Sequence, residues 1–262
     1  MSSNALDVRM KENYERRSQT WLTRRIPVII RLDGKAFHTF TRGFSRPYDT
    51  VFHQAMNATL LFLCKNIQGC KFGYTQSDEI TLVLTDYDKL NTDAWFDYNV
   101  QKMCSVSASM ATLEFNRAFP KACSEWLDNT PLFEAPNRDL LDAYNRAVES
   151  GATFDSRCFN IPEDEVANCV IWRQNDASRN AVQMLGQAHF SHKQLQGKSQ
   201  SNVQDMLMEA YNINFNDMPT EFKRGVCCYR GSDGKWVLDG EDPIISKNRA
   251  YMEQHLPEKV YD

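Results

Sequence analysis

The order of apolar runs between residues 26 and 161 predicts four strands and two helices in the order βαββαβ. The predicted strands cover 26–32, 70–75, 80–84 and 154–161, and the predicted helices cover 51–66 and 94–119. Continuous apolar character marks the first strand as buried on both faces. Pro120 is expected to end the second helix. This order is typical of an α+β fold, a ferredoxin-like layer with helices on one face.

The remainder of the chain is predicted to be mostly helical, with a hairpin near its end. Helical spacing follows Pro162, with a bend near 176–178, and a further helix is predicted from Ser201 to Ala210. Two β-type runs at 226–229 and 236–238 flank a Gly-Ser-Asp-Gly turn. These elements form an α-rich elaboration that follows the βαββαβ layer.

Two further stretches carry weaker patterns. Residues 5–22 suit a helix or an ordered arm. Residues 120–152 are predicted to be an excursion, punctuated by Pro131 and Pro136, around a short amphipathic piece at Leu140–Tyr144. We therefore expect two units, a βαββαβ domain with an N-terminal arm at 1–161 and a helical and hairpin elaboration at 162–262.

Composition narrows the class of protein. The 262 residues are 42% hydrophobic, which is enough for a sizeable core, and no run approaches the roughly 18 apolar residues of a membrane span. The N-terminus lacks a basic segment followed by an apolar one, so a cytoplasmic protein is expected. A net charge of −4 argues against coating nucleic acid through bulk positive charge, although local basic patches can still contact phosphates. The eight cysteines form no Cys-x-x-Cys pair, so neither structural zinc nor a disulfide framework is expected.

Candidate chemistry lies where the first strand ends. Asp33 closes that strand, and Gly34, Lys35 and His38 can place backbone N–H groups and positive charge around a phosphate. Asp78-Glu79 lies in the polar connection between the two middle strands, which antiparallel pairing can bring next to Asp33. Two carboxylates suit Mg²⁺ and the two-metal chemistry of phosphoryl or nucleotidyl transfer. Ordinary polar turns are the alternative, and the strand order together with the Asp33 partner favours a metal-nucleotide site.

Motifs along most of the chain resemble the tRNA-histidine guanylyltransferases and their bacterial and archaeal relatives, which are reverse (3′ to 5′) nucleotide polymerases. The matching segments are Arg31-Leu32-Asp33-Gly34 with Phe37-His38, Arg46-Pro47-x-Asp49, Gly73-Tyr74-x-Gln76-Ser77-Asp78-Glu79, Trp95-Phe96 with Lys102, Trp172-Arg173-Gln174-x-Asp176, Leu195-Gln196-Gly197, Asn212-Ile213-Asn214-Phe215-Asn216 and Lys223-Arg224-Gly225. Each segment alone is weak evidence for this family, but their combination is specific to it.

The resemblance implies a palm layer like that of polymerases and cyclases, with Asp33, Asp78 and Glu79 as catalytic residues. Asp33, Asp78 and the carbonyl of Gly34 would hold two Mg²⁺ ions. The implied nucleotide-binding residues are Gly34, Lys35, Ala36, Phe37, His38 and Ser77 for the triphosphate, Ser45, Arg46 and Asp49 around the base, and Lys102 on a second triphosphate. GTP is the implied substrate, with ATP as a second candidate. Arg173, Asn180, Lys198, Lys223 and Arg224 are the candidate tRNA contacts.

Departures from the family pattern shape the functional expectation. Where eukaryotic members carry His-Ile-Asn-Asn, this chain reads Ser178-Arg179-Asn180-Ala181, and Asn99 replaces a family arginine. The sequence of residues 34–41 is similar to that of the bacterial-type relatives, many of which rebuild truncated tRNA 5′ ends against a template. We expect templated 5′ addition or repair by a homotetramer, with strict guanylate addition to histidine tRNA as the close alternative. A nucleotide cyclase and a catalytically silent RNA-binding module are further alternatives.

Overall fold

The computed structural model describes residues 2–130 and 137–260, with side chains from residue 5 onward. Its centre is a six-stranded antiparallel sheet in the order β4-β1-β3-β2-β5-β6. The strands are β1 (Val28–Gly34), β2 (Cys70–Gln76), β3 (Glu79–Leu84), β4 (Phe154–Asn160), β5 (Val226–Arg230) and β6 (Trp236–Asp239). The first four have the order and directions of a ferredoxin-like βαββαβ layer, so the predicted α+β fold is confirmed.

Ten α-helices surround the sheet within the described residues. They are α1 (Ser2–Met10), α2 (Phe37–Phe40), α3 (Thr50–Asn66), α4 (Val100–Asn129), α5 (Arg138–Ser150), α6 (Glu163–His189), α7 (His192–Leu195), α8 (Gln200–Tyr211), α9 (Thr220–Arg224) and α10 (Ala250–Glu253). Single turns of 3₁₀ helix lie at Arg16–Ser18, Trp95–Tyr98, Phe215–Asp217 and Ile245–Lys247, and a π turn at Lys11–Glu15 extends α1. None of the described helices combines the length and apolar character that a membrane crossing needs.

Strand β1 is buried on both faces, as its continuous apolar sequence predicts. Val28, Ile30 and Leu32 face α3 and α4 in the larger core, whereas Ile29 faces the opposite side of the sheet. Phenylalanines from α2, α4 and β4 fill the larger core in edge and stacked contacts around Phe115. This packing fixes the end of β1 rigidly.

The second face of the sheet is covered, which differs from the expected single helical face. Val166 and Val170 of α6 pack there with Ile245 and Met252 of the C-terminal segment. Gln174 of α6 holds that segment, because its amide donates to Asp242 Oδ2 at 2.6 Å and its Oε1 accepts from the Ile245 N–H at 2.8 Å. The elaboration therefore contributes directly to the core of the sheet.

Several local predictions need correction. Helix α4 continues through Pro120 to Asn129, because Phe119 and Ala122, buried on either side of the proline, offset the lost backbone hydrogen bond. The helix begins at Val100, where Asn99 Oδ1 accepts from the Lys102 N–H. The short piece predicted at 140–144 is the full helix α5, and Pro131 and Pro136 lie outside the described residues. Helix α6 is continuous through the predicted bend.

The C-terminal hairpin is confirmed, and it extends the sheet. Strand β5 pairs antiparallel with β2 through Phe72↔Tyr229 to Thr75↔Val226, and β6 pairs with β5 at the edge. The predicted division into two units at residues 161 and 162 stays a prediction. Strands β5 and β6 of the second unit belong to the same sheet as the strands of the first. The N-terminal arm begins with helix α1, in agreement with the helix that was one of the two expectations for residues 5–22. An isolated β-bridge between Trp21 and Asn99 joins the end of the arm to the rest of the fold.

Candidate active site

The end of β1 and the β2–β3 turn meet, as their sequence positions predict. Asp33 is paired with Glu79 across β1 and β3. The Gly34 N–H donates to the Asp78 backbone carbonyl at 3.1 Å, which fixes the turn against the strand end. Three carboxylates, those of Asp33, Asp78 and Glu79, are thereby gathered at one end of the sheet.

Tight backbone geometry shapes this corner. A Cβ added to Gly34 would lie 2.3 Å from the ring of Phe37, so only glycine allows that ring to close over the strand end. Ala36 and Ser77 both adopt left-handed backbone conformations, with φ of 56° and 50°. Such conformations are costly for residues with a side chain and concentrate at functional sites. Both residues line the cavity described below.

Burial and like charge act against ionisation of Asp33 and Asp78. Burial raises the pKa of Asp78 to about 6, and the nearby Asp33 carboxylate adds to that rise. Burial, followed by the charges of Glu79 and Asp155, also raises the pKa of Asp33, which Arg157 opposes from 3.6 Å. A bound cation would stabilise the ionised form of both carboxylates, because it supplies positive charge next to them.

Glu79 has a different environment, because it is already neutralised by protein groups. Arg173 forms an ion pair with Glu79 Oε2, Arg31 donates to the same oxygen at 3.3 Å, and Gln76 does so at 3.1 Å. Arg173 is only 4% exposed and also pairs with Asp176 at 2.8 Å. Glu79 therefore holds the hairpin and the two arginines in place, and its catalytic role stays a prediction.

Trp172 completes this network. The guanidinium groups of Arg31 and Arg173 lie 4.9 and 4.6 Å from the centre of its ring, within the range of cation–π attraction. The Trp-Arg-Gln-x-Asp stretch of α6 thus fastens the elaboration to the end of β1.

The donor set fits Mg²⁺. Mg²⁺ prefers oxygen ligands and keeps several waters, so two carboxylates and a backbone carbonyl are sufficient protein ligands. Within the described part of the chain, no three side chains of His, Cys, Asp or Glu are arranged to hold a metal by themselves. Mg²⁺ at these carboxylates would therefore need further ligands from water or from a bound phosphate.

A cavity of about 560 Å³ opens beside these carboxylates. Ligand sites for small molecules have volumes of this order. Its wall combines the palm residues Asp33, Gly34, Ala36, Phe37, His38, Thr41, Phe44, Ser45, Arg46, Pro47, Tyr48, Asp49, Phe52, His53, Gln76, Ser77 and Asp78 with Ala177, Asn180, Ala181, Met184, Gln187, Glu221, Phe222 and Gly225 from the elaboration. The site is therefore formed jointly by both parts of the chain, and we refer to it as the palm cavity.

Most of the nucleotide-binding residues implied by the resemblance line the palm cavity. Lys35, Glu79 and Lys102 are not among its lining residues. Lys102 lies exposed in the first turn of α4. A second triphosphate, if held there, would lie outside the cavity.

Asp49 lies at the cavity wall as a structural hub. Its Oδ1 accepts from the Phe52 N–H at 2.9 Å and caps α3, and its Oδ2 accepts from the Ser45 N–H at 2.9 Å and from the Tyr144 hydroxyl at 2.8 Å. At 6% exposure, its carboxylate is satisfied by these three donors. Asp49 thus fixes the 45–49 loop that borders the cavity.

Residues 178–181, which depart from the family pattern, have side chains on two faces of α6. Asn180 and Ala181 line the palm cavity, together with Met184 and Gln187 farther along the same helix. Ser178 instead donates to the Lys223 carbonyl at 2.9 Å, and the exposed Arg179 pairs with Asp176.

The candidate tRNA contacts occupy dissimilar environments. Lys198 is exposed, and Lys223 and Arg224 are half-buried in the last turn of α9. Arg173 is enclosed by Glu79 and Asp176, so direct contact with RNA would require it to leave both ion pairs.

Sequence reasoning missed several polar residues of the cavity, among them Tyr48, His53 and Glu221. The Tyr48 ring packs on His53 with centroids 4.1 Å apart, and it packs edge-on against Phe222, the neighbour of Glu221, with centroids 5.4 Å apart. Burial lowers the pKa of His53 to about 4, so its imidazole is neutral at pH 7. No local pattern marks these residues, because they meet only when α9 docks on the palm.

Known proteins resemble this chain in sequence and in fold. The sequence model of a family described as Thg1, tRNA(His) guanylyltransferase, matches residues 8–162, more than half of the chain. The chain belongs to this family. It is accordingly a nucleotidyltransferase of the tRNA guanylyltransferase type, and the resemblance noted in its motifs is confirmed.

Individual relatives cover nearly the whole chain. A bacterial tRNA(His) guanylyltransferase (Thg1)-like protein in complex with ATP is 45% identical, with a TM-score of 0.80 over 95% of this chain and 98% of that one. A second such protein, in complex with GTP, is 39% identical, with a TM-score of 0.76 over 96% and 98%. A probable tRNA(His) guanylyltransferase of Dictyostelium discoideum is 26% identical over 80% of this chain and 77% of its own length.

Proposed function

We propose that this enzyme adds nucleotides to the 5′ end of tRNA in the 3′ to 5′ direction, at the palm cavity, using two Mg²⁺ ions. The observation that carries the proposal is the pair Asp33 and Asp78 beside the cavity, both with raised pKa values and neither neutralised as Glu79 is. Such a pair is poised for cations that bring a triphosphate with them.

The residues divide the work as follows. Asp33, Asp78 and the Gly34 carbonyl would hold Mg²⁺, which supplies charge neutralisation for the attacking 3′-hydroxyl and the leaving pyrophosphate. The backbone N–H groups of residues 36–38, with His38 and Ser77, orient the triphosphate. The N–H groups of Gly34 and Lys35, which the resemblance also implied, already donate to the carbonyls of Asp78 and Thr153. Glu79, held by Arg31 and Arg173, keeps the hairpin turn that presents Asp78 in register.

We favour templated addition or repair over strict dedication to histidine tRNA. Of the family's His-Ile-Asn-Asn segment only Asn180 is retained, and the neighbouring positions 178 and 179 point to α9 and to Asp176. Both purine nucleotides are proposed substrates, because the two bacterial-type relatives were solved with ATP and with GTP. Guanylate addition to histidine tRNA is the alternative. We further propose that the enzyme acts in the cytoplasm as a tetramer.

The test offers the purified enzyme full-length and 5′-truncated tRNAs with Mg²⁺ and each labelled nucleotide in turn, and maps what is added. Templated repair predicts that the added nucleotide follows the base opposite the missing position. Addition of guanylate to histidine tRNA alone, whatever the opposing base, would contradict templated repair. Cyclic nucleotide formed without RNA would point to cyclase chemistry instead.

A further inference from the structure

Polar side chains join α4 to β4 along the line where the helix packs on the strand. Ser107 Oγ lies 2.8 Å from Ser156 Oγ, within hydrogen-bond distance. Farther along the helix, the Asn116 side chain bonds both backbone groups of Ala152. Its amide donates to the Ala152 carbonyl at 2.8 Å, and its Oδ1 accepts from the Ala152 N–H at 2.7 Å. These contacts fix the register of the helix on the strand.

Two cysteines face each other at the start of this line of contacts. Cys104 Sγ on α4 and Cys158 Sγ on β4 are 3.6 Å apart, and both residues are free thiols. The Cys158 thiol also lies 3.9 Å from the carbonyl oxygen of Val100, the first residue of α4. A disulfide bond is about 2.0 Å long, so an approach of about 1.5 Å would join the two sulfurs. The serine pair one helical turn away holds the sulfurs opposite each other before any oxidation.

Exposure separates this pair from the other cysteines of the chain. Cys104 and Cys158 are partly exposed, whereas the other six cysteines are buried. Oxidants dissolved in water therefore reach this pair more readily than they reach thiols in the core. Burial, followed by the nearness of Cys104, raises the pKa of the Cys158 thiol, so Cys158 is protonated at pH 7. The first attack on an oxidant accordingly falls to Cys104.

We propose that Cys104 and Cys158 form a reversible oxidation site, at which a peroxide joins them in a disulfide that ties the start of α4 to β4. The Cys104 sulfur attacks one oxygen of hydrogen peroxide, the O–O bond breaks, and Cys104 becomes a sulfenic acid as one water leaves. The Cys158 sulfur then forms the S–S bond and displaces the sulfenic oxygen as a second water. The two thiols lose two electrons and two protons, and one hydrogen peroxide is reduced to two waters.

Oxidation would turn a weak contact into a covalent brace. The cysteines are 54 positions apart, so the disulfide restricts a long stretch of the unfolded chain and stabilises the folded one. Strand β4 also pairs with β1 through Asp33↔Asp155, so the brace supports the strand that carries Asp33. Exchange with a thiol reductant would open the brace again. Neither cysteine lines the palm cavity, so this inference goes beyond the proposed function and does not depend on it.

The test treats the purified full-length enzyme with a modest excess of hydrogen peroxide, blocks remaining thiols with N-ethylmaleimide and maps linked peptides by mass spectrometry. We expect each chain to lose two hydrogens, with one linked peptide pair that joins Cys104 to Cys158 and separates on treatment with dithiothreitol. Oxygen added at either cysteine without a link would overturn the proposal. A link within the buried group Cys64, Cys70 and Cys228 in place of the expected one would overturn it as well.

The decisive variant is Cys158→Ser, which keeps a small polar side chain at the position. Without the second thiol, Cys104 should remain a sulfenic acid that dimedone traps, and the linked form should vanish. Cys123→Ser is the matched control, because Cys123 is a buried residue of the same helix, so this variant should form the link to the full extent. A loss of two hydrogens that persists in Cys158→Ser would refute the inference.

Cys104→Ser provides a second, independent variant if Cys158→Ser does not fold. It removes the partly exposed thiol on the helix, and the linked form should vanish here too. Persistence of a link that includes Cys158 would contradict the assigned pairing.

Thermal denaturation tests the bracing effect of the link. The peroxide-treated enzyme should melt several degrees higher than the same sample after dithiothreitol, because the disulfide restricts the unfolded chain. The two samples of Cys158→Ser should melt at the same temperature. An equal or lower melting temperature for the linked, unmodified sequence would contradict a brace between α4 and β4.

Discussion

Asp33 and Glu79 are direct partners across β1 and β3, yet the protein neutralises only one of them fully. Glu79 accepts from Arg31, Arg173 and Gln76, whereas the cation recorded beside Asp33 is the half-exposed Arg157 at 3.6 Å. Two neighbouring carboxylates of the same charge are thus given different tasks. Glu79 braces the turn, whereas Asp33 and Asp78 lack a full counter-charge from the protein, which the proposed function assigns to cations that arrive with the substrate.

Arg173→Met should destabilise the fold and impair the site. The change leaves Glu79 and Asp176 without their shared buried cation, for which we expect a loss of about 3 kcal/mol in the free energy of unfolding. Urea denaturation measures this loss, and nucleotide incorporation should fall in parallel. Arg179→Met is the matched control, because Arg179 is exposed and pairs with Asp176 alone, so its cost should stay below about 0.5 kcal/mol. Equal costs would contradict the bracing role.

Asp242→Asn should stabilise the protein in a pH-dependent manner. Burial raises the pKa of Asp242 to about 7, and its Oδ1 has no hydrogen-bond partner. An unfolded aspartate ionises near pH 4, so the folded state loses stability as pH rises from about 4 to about 7, and the loss persists above that. Asparagine removes this loss while keeping an acceptor for Gln174.

The measurement for Asp242→Asn is urea denaturation between pH 4.5 and 8. We expect a gain on the order of 2 kcal/mol at pH 8 that shrinks toward zero near pH 4. A variant whose advantage does not change with pH would show that the carboxyl is not held in its protonated form by burial.

Gly225→Ala should be among the costliest single changes near the cavity. Its backbone has φ of 85°, and an added Cβ would meet the Thr75 carbonyl oxygen at 2.4 Å. We expect a loss of about 3 kcal/mol, from left-handed strain together with the clash. Gly234→Ala shares a φ of 77° without any atom near the added Cβ, so thermal denaturation should show only the strain, about 1 kcal/mol. Similar losses in both variants would argue that α9 can shift away from β2.

Much of the fold could be predicted from local patterns of apolar residues. The apolar run of β1 and the helical spacing of α3 predict those elements because burial on two faces or on one stripe selects them directly. Pro120 misled the prediction of α4, since a proline penalty of a few kcal/mol is smaller than the burial gained by the residues around it. The second covered face of the sheet was missed because α6 and the C-terminal segment meet it only in three dimensions.

The site was predictable where it depends on strand ends and turns. Asp33 and Asp78 were identified because a carboxylate after a strand and another in a hairpin turn can meet by pairing alone. Tyr48, His53 and Glu221 were not, since Glu221 lies in a five-residue helix, α9, far along the chain from Tyr48. Their meeting depends on how α9 docks, which no periodicity encodes.

The most direct test of the central claim compares Mg²⁺-dependent labelling of a tRNA 5′ end by the unmodified enzyme and by Asp78→Asn. We predict that labelling requires Mg²⁺, is lost on its removal by chelation, and falls at least about a hundredfold in Asp78→Asn. Asp142→Asn is the control, because Asp142 is exposed on α5, and this variant should retain full labelling. Labelling by Asp78→Asn at the rate of the unmodified enzyme, in folded protein, would contradict catalysis by Asp33 and Asp78 at the palm cavity.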